Sequence, residues 1–353
     1  MAANITYHEQ TDIDNIRKLR EVLKTLPAFA KDYFRAIEPT TSTKTRISYA
    51  YDIRIFFQFL ISQNPSLAKI GIPNLNVSVL DQLKPIDIEE YMEYLKLYDS
   101  PNDQTTITNG ERGLKRKISS LRSFYTYYYK RQAIETNPVQ LVDMPKIHDK
   151  AIIRLDAGET AALLDYIEHC GDQLTGQRKA YYEKTKLRDL AIVTLLLGPG
   201  IRVSECVGLD VEDIDFRNNG IRLIRKGGSE MVVYFGPEVE KALKDYLESR
   251  KAISPLEGHE HALFYSTQRK RIGVQAVENL VKKYARAITT TKKITPHKLR
   301  STYGTTLYQE TGDIYLVADV LGHKDVNTTK KHYAAMDDAR RRKAATAIRL
   351  RED

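Results

Sequence analysis

Within this 353-residue chain, residues 214–235 are the one stretch patterned clearly for strand. Segments 214–216, 221–225 and 231–235 are short and rich in β-branched or aromatic residues. Between them, Asn218-Asn219-Gly220 and Gly227-Gly228-Ser229 read as turns. This predicts a small antiparallel three-stranded sheet set among helices, because nearly all the remaining sequence has helical periodicity. The fold class is therefore mainly α.

Residues 11–142 are helical almost throughout, with stretches at 12–34, 43–62, 85–98 and 107–131. In the second, Tyr49, Ile53, Phe56, Phe57 and Leu60 recur at helical spacing and mark a core face. The fourth carries seven Lys and Arg against the single Glu111, a net of +6, together with Ser119, Ser120 and an aromatic cluster at Phe124, Tyr125, Tyr127, Tyr128 and Tyr129. Two readings are open: a solvated basic face above aromatic core positions, or a helix laid across DNA with Arg112, Lys115, Lys117 and Arg122 on phosphates. After Asn137-Pro138 the composition changes, and residues 143–155, DMPKIHDKAIIRL, read as a linker. Two domains are expected, 1–142 and 156–335, followed by a basic tail at 336–353. In the second domain a helix spans 157–169, a polar loop 171–186 and a buried helix 187–197, which breaks at Gly198-Pro199-Gly200. Helices return at 237–252 and 274–288.

Charge narrows the partners. With 55 basic and 46 acidic residues the chain carries +9, which favours a polyanion, nucleic acid first and an anionic membrane surface second. No basic-then-apolar leader opens the sequence, and the longest apolar run, residues 190–197, is too short to span a bilayer. A cytoplasmic location is expected. Cys170 and Cys206 lie far apart without a CxxC, and no HxH, HxxE or paired-Asp spacing is present, so neither a zinc site nor any other metal or cofactor is indicated.

The chemistry concentrates in residues 295–333. Thr295-Pro296 reads as the start of a helix on which His297 and Arg300, three apart, share a face. Asp313 can cap the next helix, Gly322 can end it, and His323 follows. Asn327 or Thr328 can cap a last helix carrying Tyr333. Guanidinium groups match the charge that builds on a phosphodiester undergoing displacement, histidines donate to it or shuttle protons, and a tyrosine hydroxyl can attack it. Upstream, Arg202 opens a new helix with Glu205 three residues on, a spacing at which the carboxylate can orient the guanidinium. Lys226 stands at the mouth of the second strand turn, where a lysine is either solvated or a mobile acid.

Taken in order, GIRVSE with Arg202, RKGG with Lys226, HKLR with His297 and Arg300, LGH with His323, and then Tyr333 resemble the full signature of the tyrosine recombinases, the Xer and phage-integrase family. The likeness extends over about residues 20–340 and is greatest to the XerS-type single-chain Xer recombinases. It implies an N-terminal helical core-binding, SAM-like domain and an α-rich catalytic domain of the DNA breaking-rejoining fold. It implies a catalytic set of Arg202, Lys226, His297, Arg300, His323 and Tyr333, with Glu205 behind Arg202. It further implies double-stranded DNA as target, no ATP, no metal, and a homo-tetramer assembled through the tail. Resolution of chromosome dimers is the role expected. Three positions depart from the family pattern: Pro199 before the first arginine, Ser301 after Arg300, and Tyr333 one residue further from His323 than Xer proteins typically show. That last spacing occurs in phage and conjugative-transposon integrases and keeps a mobile-element role as the alternative. A type IB topoisomerase fits GIRVSE and the core-binding domain less well, and an inert DNA-binding factor would be expected to lose one of the six residues.

Overall fold

A computed structural model describes residues 6–99, 105–148, 152–225, 229–322 and 326. The chain divides into two compact units, residues 1–150 and 151–353.

The first unit is helical, with α1 (Tyr7–Leu23), α2 (Ala30–Ala36), α3 (Thr43–Gln63), α4 (Pro65–Ile70) and α5 (Pro85–Tyr94), then β1 (Leu97–Asp99), β2 (Thr106–Thr108), α6 (Glu111–Lys130) and α7 (Pro138–Leu141). Helix α1 starts from a capping box in which Thr6 and Glu9 exchange hydrogen bonds, and α3 from Ser42, which accepts from Thr45 N. The core is built where α3 meets α6. Ile53, Phe56, Phe57 and Leu60 are buried against Ile118, Leu121, Phe124 and Tyr125, and edge-to-face ring pairs such as Tyr33–Phe124, with centroids 5.1 Å apart, knit in α2.

Two expectations change here. The stretch 12–34 is two helices, because Pro27 cannot continue α1 and its carbonyl instead receives Ala30 N. The helices expected at 85–98 and 107–131 are each trimmed by a hairpin. Helix α5 stops at Tyr94, and β1 pairs antiparallel with β2 with Tyr98 opposite Ile107. The alternation Leu97-Tyr98-Asp99, exposed, buried, exposed, is a strand signal too short to outweigh the helix before it.

The basic helix α6 also resolves into faces. Lys117 lies roughly 140° around the helix from Arg112 at 3.6 residues per turn, on the side toward α3. There it is buried, with Nζ 3.8 Å from Asp52 Oδ1, and Asp52 also receives Arg116. Lys117 therefore does not reach phosphate, contrary to the sequence reading. Burial pushes the Asp52 carboxyl up and the Lys117 ammonium down, and their mutual attraction opposes both shifts.

The second unit contains α8 (Ala157–His169), α9 (Gly176–Leu197), α10 (Val203–Gly208), β3 (Ile214–Asp215), β4 (Gly220–Ile224), β5 (Glu230–Tyr234), α11 (Pro237–Arg250), α12 (Val274–Ile288), α13 (Pro296–Thr311) and α14 (Ile314–Leu321). Helix α9 is the hub. Residues 191–196 are all buried, and α8, α10, α11, α12 and α13 pack around it. The expected polar loop at 171–186 is largely the first half of α9. Tyr182 decides this, since its ring is buried and its hydroxyl donates to the carbonyls of Ile167 and Glu168 at the end of α8. The sheet is antiparallel in the order β3-β4-β5, with Ile221 opposite both Ile214 and Val233. The fold is thus mainly helical with small antiparallel sheets.

The buried ion cluster gives a stability prediction. Asp52→Ala strands the Lys117 charge in the core and should cost about 3 kcal/mol in urea unfolding followed by circular dichroism. Adding Lys117→Met should recover part of that loss by removing the uncompensated charge. A loss below about 1 kcal/mol would show that Lys117 reaches water without its partner.

Candidate active site

Helix α9 ends at Gly198-Pro199-Gly200, and two of these residues are fixed by what lies beside them. A Cβ on Gly198 would stand 2.5 Å from Val239 Cγ2, and one on Gly200 2.2 Å from the Tyr303 ring. Gly200 also has φ +63°, which side chains rarely adopt. The turn delivers Arg202 to the N-terminus of α10. Glu205 grips it twice: Oε2 accepts from Arg202 N at 2.7 Å and Oε1 from Nη1 at 2.8 Å. The Glu205 side chain is 5% exposed and that of Arg202 40%, so a buried carboxylate aims a guanidinium that remains open to solvent.

Helix α13 begins with Pro296 at its first position; Thr295 precedes it but makes no capping side-chain hydrogen bond. His297 is on the exposed side and Arg300 is buried. Arg300 donates through Nη1 to Gly200 O and through Nη2 to Leu321 O. Helix α14 is capped by Asp313, whose Oδ1 accepts from Tyr315 N at 2.8 Å and Leu316 N at 3.1 Å, and closes at Gly322 with φ +58°. Arg202 Nη2 donates to Gly322 O at 3.2 Å and, more distantly, to Leu321 O. Two arginines nearly a hundred residues apart thus meet at one carbonyl. A third, Arg225 at the end of β4, donates through Nη2 to Val320 O at 3.1 Å.

Three guanidinium groups therefore converge on three consecutive carbonyls at the C-terminus of α14, where the helix dipole is negative and the last carbonyls lack helical partners. Burial lowers the Arg225 pKa, Glu205 raises it, and Arg202 adds a lowering push. Such a cluster has cationic surplus for an anion. The Tyr303 ring lies beside Gly200, and burial pushes its hydroxyl pKa up against the pull of Arg300.

Of the sequence-derived set, the structure brings Arg202, Glu205 and Arg300 together and places His297 one turn before Arg300 on α13. Lys226, His323 and Tyr333 lie outside the described residues; Lys226 follows Arg225 in the chain and His323 follows Gly322. In the first unit Arg112 is exposed and Lys115 half-buried on the outer face of α6. Arg122, expected on phosphate, instead donates through Nη2 to the carbonyls of Val139 and Val142, tying down α7. Arg225 was missed by the sequence reading. Its signal was strand phase, since it falls on the register of the buried Ile221 and Leu223, where a basic residue needs a partner.

The fold and this arginine site define the class, and residues 154–340 match the phage integrase family. The chain belongs to that family and is a tyrosine recombinase of the Xer type, a site-specific DNA recombinase. It is 32% identical to tyrosine recombinase XerC of Caldanaerobacter subterraneus subsp. tengcongensis, over 94% of this chain and 90% of the relative. It is 29% identical to tyrosine recombinase XerS of Streptococcus equi subsp. zooepidemicus, over 92% and 96%. Among solved structures it shares its fold with the XerH site-specific recombinase bound to palindromic difH substrate, with a TM-score of 0.61 and 18% identity over 86% of this chain and 79% of that one.

Because Gly200 is held both by backbone conformation and by Tyr303, Gly200→Ala should lower stability by about 2 kcal/mol or more, read from thermal or urea unfolding. Combining it with Tyr303→Ala removes the collision but not the backbone strain, so the two changes should fall short of additive.

Proposed function

We propose that this recombinase cuts and rejoins double-stranded DNA through a 3′-phosphotyrosine on Tyr333 and a Holliday junction, in Xer-type resolution of chromosome dimers. The observation that carries the proposal is the convergence of Arg202 and Arg300 on one point, with Glu205 orienting the first. Two planar donors held at a fixed spacing suit the non-bridging oxygens of a phosphodiester. Each is worth about 3 kcal/mol in the transition state if it acts like a lost oxyanion donor. The +9 chain charge, the exposed Arg112 and the half-buried Lys115 suit a polyanionic target. The curated relatives reported above are Xer recombinases, which favours the chromosomal role over a mobile-element integrase.

In this scheme Tyr333 attacks the scissile phosphorus and its phosphate bond replaces the bond to the 5′-oxygen. Lys226 supplies the proton that the departing 5′-oxygen takes up. His297 handles the proton of the tyrosine hydroxyl, and His323 donates to the phosphate. The freed 5′-hydroxyl of the partner strand then attacks the phosphotyrosine and restores one phosphodiester for each one broken, so no ATP is required. Two such rounds on two sites call for four protomers, and residues 336–353 are the proposed docking segment between neighbours. Cytoplasmic action on chromosomal DNA follows from the same reading.

Tyr333→Phe should bind its DNA site but form no covalent adduct on a nicked suicide substrate, as judged by denaturing gel and peptide mapping. An adduct mapped to Tyr129, Tyr303 or Tyr308 would overturn the nucleophile. For Lys226→Ala, cleavage should fall by about 10²–10⁴-fold, the range for a positioned proton donor, with binding nearly intact. Replacing the bridging 5′-oxygen by sulfur should largely restore it, since a thiolate leaves without a proton. Equal defects on the oxygen and sulfur substrates would return this lysine to a solvated hairpin tip.

A further inference from the structure

Arg225 has no task in the scheme above, yet it is built into the arginine cluster. Its main-chain N–H donates to Ser229 O at 2.9 Å, which extends the β4–β5 pairing one step past Ile224 and Glu230. Its side chain crosses from the end of β4 to Val320 O. The rest of the guanidinium fills the hollow above Gly322, where a Cβ would stand 1.1 Å from Nη1 and 2.0 Å from Cζ. Any side chain at 322 would therefore displace the tip of Arg225, and the φ of +58° disfavours one in its own right. The carbonyl of that same glycine receives Arg202 Nη2 at 3.2 Å. Arg225 therefore bears on the turn from which Arg202 takes its acceptor. Glu205 attracts it, Arg202 repels it, and Asp319 on α14 attracts it as well, which places it within the field of the cluster.

We infer that Arg225 is a positioning residue for Arg202. By holding the 320–322 turn through Val320 O and the face of Gly322, it sets where Gly322 O meets the Arg202 guanidinium, and so where that guanidinium stands toward a phosphate. Arg225 itself touches no reacting atom. The inference deepens the proposed function and rests on Arg202 as a phosphate clamp.

The test is single-turnover cleavage of a nicked suicide substrate at saturating protein. Arg225→Met keeps the length of the stem and removes every donor. Cleavage should fall by about 10–100-fold, as for a misplaced catalytic group, while DNA affinity and the thermal midpoint stay near parental. The loss should be equal on oxygen and bridging-sulfur substrates. In an Arg202→Lys background the same change should cost no more than about 3-fold, because residues acting through one contact are not additive. Arg225→Gln retains a donor for Val320 O and should recover part of the activity; it carries the test if Arg225→Met does not fold, with a smaller loss of about 3–10-fold expected. Unchanged cleavage, full additivity with Arg202→Lys, or a defect erased by sulfur overturns the inference, the last by placing Arg225 behind Lys226. Failure of the clamp reading itself is separate, since Arg202→Lys alone would then cleave at the parental rate.

Discussion

A guanidinium keeps its charge at every working pH, so an arginine drawn out of water must be given acceptors. In this protein that requirement organises the second unit. Arg300 is buried and takes its acceptors from Gly200 and Leu321, Arg225 takes Val320, and Arg202 takes Gly322 together with Glu205. The acceptors at 320–322 lie where α14 ends in a left-handed turn at Gly322, and the last carbonyls of a helix have no partner within it. Neutral carbonyls also locate the cations without cancelling them. Among the described residues, Glu205 is the carboxylate that hydrogen-bonds Arg202.

Much of this could be read in the sequence, and what could not has identifiable physical causes. The three strands, the Asp313 cap and the Gly322 end of α14 were visible because turn and cap chemistry is local. The pairing of Arg202 with Glu205 was visible for the same reason, a three-residue step at a helix start. The β1–β2 pairing was not, because strands of three residues show one alternation each and depend on partners seven to eleven residues away. Residues 176–186 looked like a loop because their polarity hides Tyr182, whose role comes from the end of α8. On α6 a count of basic residues overstated the face available to DNA. Helical phase would have removed Lys117, while the carbonyls holding Arg122 belong to a helix that only the folded chain brings near.

The two units keep their polar groups by different means. In the first, Asp52 is drawn into an apolar and aromatic layer and carries its counterions with it, so α3 and α6 are registered by a charge contact as well as by Phe57 and Phe124. In the second, polar groups are held at element ends, where the backbone has unused hydrogen-bonding capacity. The first arrangement specifies how two helices lie together, and the second specifies where side chains from three separate elements meet.

The carbonyl row at 320–322 has a consequence for how this site tolerates change. A side-chain acceptor disappears with one substitution, whereas an oxygen of the main chain is present whatever residue occupies the position. Val320 and Leu321 could therefore drift among residues that pack alike while the arginines keep their anchors. Vulnerability passes to whatever shapes the backbone: the Asp313 start of the helix, the left-handed Gly322, and any proline introduced between them. Descendants of this chain should record mutational history in the side chains of that helix and stasis at its two ends.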